Sequence, residues 1–110
     1  MNTGLNILQF TGDPRFTKTL AKEDAVRFDH FIALFCCGAG ADHITWYRRE
    51  GNQWQSYPPS KDMSANTIEN NQVLQIHHAD ERDNTTFKCE LVKNGTAVKS
   101  NEIELHVLSK

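Results

Sequence analysis

Apolar and polar residues alternate in short runs along most of this chain. Ile32, Leu34 and Cys36 stand two apart, as do Ile44 and Trp46, Leu74 and Ile76, and Phe87 and Cys89. Near the end, Ile103, Leu105 and Val107 alternate with Glu102, Glu104 and His106. A period of two puts one set of side chains on a buried face and the other in water, which predicts β-strands. No segment sustains a period of 3.6. Turn signals separate the runs: Gly12-Asp13-Pro14, Glu50-Gly51-Asn52-Gln53 and Asn94-Gly95. Asn-Gly is a strong hairpin signal, because both residues accept positive φ. Many short strands with turns between them predict an all-β fold of the two-sheet sandwich kind.

Strand by strand, the pattern is uneven. Leu5, Ile7 and Gln9 suggest an edge strand, and Val26 and Phe28 are candidates for an inner face. Asp29-His30 is a polar break. Within Phe31–Cys37, the parity of Ile32 and Leu34 turns Cys36 inward and Cys37 outward, although a one-residue bulge would exchange the two thiols. Gly38–Asp42 reads as a flexible loop. Trp54 and Tyr57 punctuate a polar stretch that ends in Pro58-Pro59, a pair that argues against a central strand. Met63 and Ile68 are the large aliphatics of the polar segment 60–72, where a short edge strand is expected near Asn66–Glu69.

The 110 residues suffice for one domain. The net charge of −2 provides no basic footprint for nucleic acid and no polybasic membrane patch. The longest apolar run, Phe31–Cys37, has seven residues, far short of a membrane-spanning helix. The opening MNTGLNILQF lacks the parts of a signal peptide, so a secreted parent would make this an excised piece that begins at an expression Met. With three cysteines and no CxxC spacing, the arithmetic is one long-range bridge and one spare thiol. No metal site and no cofactor is expected. His77 and His78 are neighbours that point to opposite faces of a strand, and His30 and His106 read as surface positions. There is no phosphate loop, GxSxG or HExxH, so no enzyme is expected.

The stretch VLQIHHADERDNTTFKC, Val73–Cys89, carries a more specific pattern. Leu74 and Ile76, then Ala79, then Asp83, Thr85, Phe87 and Cys89 resemble the E strand, EF corner and F strand of an immunoglobulin domain. Cys36 and Trp46 upstream complete the family's core signature. The resemblance covers residues 24–108 and implies a Greek-key sandwich of the intermediate or C2 set, preceded by an N-terminal segment, 1–23, that contains an A strand. It implies a Cys36–Cys89 bridge between the sheets with Trp46 packed over it, and Cys37 as a free thiol. It also places Leu74, Ile76, Asp83 and Phe87 in the core. Phe87 stands where the family has a corner tyrosine, so that hydroxyl bond is missing, and Thr85 replaces the usual Gly or Ala. The corner aspartate is matched by Asp83, with Lys61 as the candidate partner. A different sandwich, such as fibronectin type III, lacks the cysteine pair.

The resemblance implies recognition without chemistry. Tyr47, Arg49, Lys88 and Glu90 point outward on the C and F strands, and Trp54 is a second candidate for an exposed aromatic, unless it folds over the sandwich edge. Tyr and Arg are enriched at binding hot spots. Asn84-Thr85-Thr86 and Asn94-Gly95-Thr96 are glycosylation sequons at exposed corners of this fold. Together with the disulfide they point to an extracellular module of a cell-surface receptor or adhesion protein. The expected partner is another protein, a homodimer being one form, with no nucleic acid and no membrane contact. The alternatives are an intracellular structural module of a muscle-type scaffold and a secreted decoy on the same fold.

Overall fold

The structure, a computed structural model, describes residues 12–59 and 64–109. Strands β2 (Glu23–Arg27), β5 (His43–Glu50), β6 (Gln53–Ser56), β9 (Thr86–Lys93) and β10 (Thr96–Leu108) form a five-stranded sheet in the order β2-β10-β9-β5-β6. Strands β3 (Ile32–Phe35), β7 (Ala65–Ile68) and β8 (Val73–Ile76) form a second sheet in the order β3-β8-β7. A ribbon of β1 (Arg15–Phe16) and β4 (Gly38–Ala39) closes one end. All pairings are antiparallel except that of β2 with β10, which is parallel from Glu23↔Glu104 to Arg27↔Leu108.

Two hairpins follow from their turn residues. Glu50 pairs with Gln53 around Gly51, whose φ is 64°. Lys93 pairs with Thr96 around Asn94 and Gly95, both at positive φ, as the right-handed twist of a two-residue hairpin requires. β10 therefore begins at Thr96 and not near residue 101, with a bulge between Ala97 and Lys99.

The core is built from the inward parities. Leu34, Leu74, Ile76, Phe87, Leu91, Ile103 and Leu105 are buried between the two sheets. Cys36 and Cys89 are joined, with their Cα atoms 6.4 Å apart, and the bridge ties the end of β3 to β9. Closing a loop of 53 residues stabilises the fold by about 4 kcal/mol in the chain-entropy account. Trp46 pairs directly with Cys89 across β5 and β9, so its indole lies beside the bridge. The indole nitrogen donates to the carbonyl of Asn71 at 2.7 Å. That carbonyl belongs to a turn, Glu69-Asn70-Asn71, in which all three residues have positive φ. Thr67 Oγ1 and Asn71 Oδ1 hydrogen-bond at 2.6 Å, and Asn71 Nδ2 donates to the carbonyl of Ile44 at 3.2 Å. These bonds over-determine a conformation that L-residues disfavour.

Several expectations need correction. Phe28 does not share the inner face with Val26. β2 ends at Arg27, Asp29 turns with a φ of 68°, and Phe28 is left exposed. Gly38–Asp42 is not simply a loop, because Gly38 and Ala39 pair with β1. Gly40, at a φ of 80°, runs so close to Asp13 that a Cβ would meet its carbonyl oxygen at 2.5 Å. The short edge strand is Ala65–Ile68, one residue earlier than expected. Among the described residues, Asp83 is partnered by Arg48, at 2.8 Å. Lys61, Met63 and the proposed edge strand at Leu5, Ile7 and Gln9 lie outside the described residues.

Candidate protein-binding face

The outer face of the five-stranded sheet is set by the same parity that fills the core. On β5, Ile44, Trp46 and Arg48 point in, so Tyr47 and Arg49 point out. Register does the rest. Tyr47 is opposite Lys88 on one side and Ser56 on the other, and Arg49 is opposite Trp54. Five outward residues from three strands thus meet in one cluster. The Lys88 ammonium lies 4.5 Å from the centre of the Trp54 ring and 5.2 Å from that of Tyr47. The Arg49 guanidinium lies 5.3 Å from the Trp54 ring. Glu90, two residues along β9, pairs with Lys88 at 3.3 Å. Trp54 is half-buried by these two cations on the outer face, not by the sandwich core.

This arrangement orders the side chains of the outer face. Cation–π stacking holds long side chains in one geometry before any partner arrives. Aromatic and arginine side chains pre-ordered in this way lose less entropy on binding. Arg49 is exposed, and Tyr47, Lys88 and Glu90 are half-buried, so the cluster presents aromatic rings with a cation stacked between them.

Beneath the face sits an ion pair of Asp83 with an arginine that sequence reading did not name. Arg48 is buried, and its Nη1 donates to Asp83 at 2.8 Å while its Nη2 donates to Glu50 at 2.6 Å. Its guanidinium lies 4.5 Å from the centre of the Tyr57 ring, which in turn meets Phe87 edge-on at 5.6 Å. Burial works against the Arg48 charge, but hydrogen bonds to Glu50 and Asp83 outweigh it and hold the pKa above its ordinary value. The alternation Ile44, Trp46, Arg48 was the available signal. Asp83 also accepts from the backbone of Asp80 at 2.9 Å and closes the short 3₁₀ turn Glu81–Asp83.

The remaining positions are dispersed. Asn84 is exposed in the corner after that turn, and its Oδ1 accepts from the backbone of Val107 at 2.9 Å. Asn94 is exposed at the β9–β10 turn, where its backbone donates to Asp42 at 2.8 Å. Cys37 is half-buried and unbridged, and it lines a cleft with Lys18, Leu20 and Phe35, apart from the cluster. His77 packs against Phe31 and bonds Asn66, while His78 turns away toward Asp29.

No family model and no curated protein sequence matches this chain. Its fold does match solved structures. A chain described under "Structural basis for Dscam isoform specificity" aligns with a TM-score of 0.70 and 21% identity, over 87% of this chain and 24% of that one. An immunoglobulin domain from the complex of titin M10 with obscurin-like 1 aligns with a TM-score of 0.66 and 15% identity, over 88% of this chain and 95% of that one. The tandem immunoglobulin repeats of Dlar align with a TM-score of 0.66 and 16% identity, over 88% and 49%. This chain spans about a quarter of the length of the Dscam chain. Two facing sheets, a disulfide between them with a tryptophan beside it, and these alignments lead to one conclusion: the fold of this chain is that of an immunoglobulin domain.

Proposed function

We propose that this domain is a non-catalytic recognition module that binds another protein through the outer face of its five-stranded sheet. The observation that carries the proposal is the cluster of Tyr47, Arg49, Trp54 and Lys88, stacked across three strands. Its side chains are of the kinds that anchor interfaces. The module works outside the cell, as part of a receptor or adhesion protein. The Cys36–Cys89 bridge supports this placement, because disulfides persist in oxidising compartments. The exposed sequon residues Asn84 and Asn94 support it too, as glycan acceptors. A glycan at Asn94 would stand over the β9–β10 turn and restrict what can bind at that end. The test is a binding screen against cell-surface proteins, repeated with Tyr47→Ala and Arg49→Ala. Binding that survives both substitutions removes this face from consideration.

The likeness to a domain of the titin complex favours a second reading, a structural module in an intracellular scaffold. Mass spectrometry of the natural protein separates the two. Reduced Cys36 and Cys89 with unmodified Asn84 and Asn94 select the scaffold. Cys37 adds a bridge to a second copy as one form of partner, and non-reducing electrophoresis at neutral pH reads it directly. A purely monomeric band removes that form.

A further inference from the structure

At the edge of the five-stranded sheet away from the aromatic cluster, two glutamates face each other. Glu23 on β2 and Glu104 on β10 are direct partners in the parallel register. Like charges placed directly opposite destabilise a strand pair. Among the described residues, no lysine or arginine pairs with either carboxylate. Their one neighbour of the opposite kind is His106, two residues beyond Glu104 and so on the same face. Its Nε2 lies 3.1 Å from Glu23 Oε1 and 3.8 Å from Glu104 Oε1.

We propose that Glu23, Glu104 and His106 form a surface site for a zinc-class divalent cation. Three donor atoms, one from each residue, lie within 4.8 Å of one another. In a tetrahedron with zinc–ligand bonds of about 2.0–2.1 Å, the donors stand about 3.3 Å apart. The two measured distances bracket that edge length. The side chains are 45–69% exposed, so small rotamer adjustments can close the remaining gap. Their Cα positions are fixed by the β2–β10 pairing, which provides a rigid frame. One nitrogen with two carboxylate oxygens suits zinc and its neighbours and is a poor match for magnesium or calcium, which take oxygen ligands. The fourth position is open to water or to a donor from another molecule. A bound cation also removes the repulsion between the two glutamates, so occupancy braces β2 against β10.

The site lies outside the aromatic cluster and stands or falls independently of it. The experiment is calorimetric titration of the disulfide-intact, untagged chain with zinc chloride, in parallel with His106→Ala, Glu104→Gln and a magnesium control. NMR of the five imidazole side chains reports which histidine responds. One zinc per chain is expected, with the His106 resonances moving first. Affinity should fall by about tenfold or more in either variant, at least the factor that losing an outer-shell partner costs. Both variants change exposed side chains, and circular dichroism verifies that they remain folded. The proposal is overturned by the absence of zinc binding, by binding that is unchanged in both variants, by a response centred on another histidine, or by magnesium binding as well as zinc.

Discussion

Arg48 and Asp83 form a buried ion pair, 2.8 Å apart, that joins β5 to the corner before β9. Asp83 has 4% of its side chain exposed and Arg48 has 8%, so neither charge is compensated by water. Removing one partner strands the other. Arg48→Met should therefore cost about 3–5 kcal/mol in urea-induced unfolding. The double variant Arg48→Met with Asp83→Asn should recover part of that loss, because it leaves no lone charge. Equal stability of wild type and Arg48→Met contradicts this account.

The next prediction concerns pH. Asp80 caps the 3₁₀ turn, where its carboxylate accepts from the backbone and the side chain of Arg82. The hydrogen bond to the Arg82 side chain is the main reason its pKa lies below the ordinary value of 3.8. A carboxyl whose folded pKa is depressed stabilises the fold above the unfolded value and stops doing so as pH falls through the folded one. Asp80→Ala should cost about 1 kcal/mol at neutral pH, the usual worth of such a cap. The gap between wild type and variant should narrow as pH drops below 3.8. Thermal unfolding at a series of pH values follows it, and a constant gap would count against the charge.

Glu69 adopts a φ of 57° at the start of the left-handed turn that carries the Asn71 carbonyl. Its side chain is exposed and glutamate has no special tolerance for that region. Left-handed geometry costs a non-glycine residue roughly 1–2 kcal/mol, and glycine gives back part of the gain through the freedom of the unfolded chain. Glu69→Gly should thus leave the domain slightly more stable, with a Tm higher by a few degrees. A lower Tm would show that the turn depends on the glutamate.

Lys88 stacks between two rings and an acid on the outer face. With 17% of the Lys88 side chain open to water on the outer face, Lys88→Ala should lower stability by about 1 kcal/mol. Binding of a partner seated on this face should fall much further, by about 2 kcal/mol or more, the scale of a hot spot. Unfolding and surface-plasmon measurements on one preparation give both numbers. A stability loss as large as the binding loss would make the cluster structural.

The strands were legible wherever one face is dry and the other wet, as at Ile103, Leu105 and Val107 against their charged neighbours. The same parity separates Cys36 from Cys37, because a single residue step reverses the face. Arg48 was hidden by its type: a charged residue is expected in water, and its inward position makes sense only once Asp83 and Glu50 surround it. Phe28 misled in the opposite sense, since an aromatic at the end of a strand looks like core until the chain turns at Asp29. The pairing of Gly38-Ala39 with Arg15-Phe16 joins segments over twenty residues apart, and no local pattern announces it. The aromatic–cation cluster was visible as separate residues, while their convergence rests on the registers of β5 with β6 and β9.

The parallel alignment of β2 with β10 has a mechanical consequence. Tension applied through the chain before Glu23 and after Leu108 pulls these two strands along their length in opposite directions. From Lys22 bonded to Glu104 at one end to Phe28 bonded to Leu108 at the other, the hydrogen bonds of the pair lie across that load. They are sheared as a group and are not peeled one after another. The weakest direction of the pair, peeling one bond at a time, is thereby turned away from the line of pull.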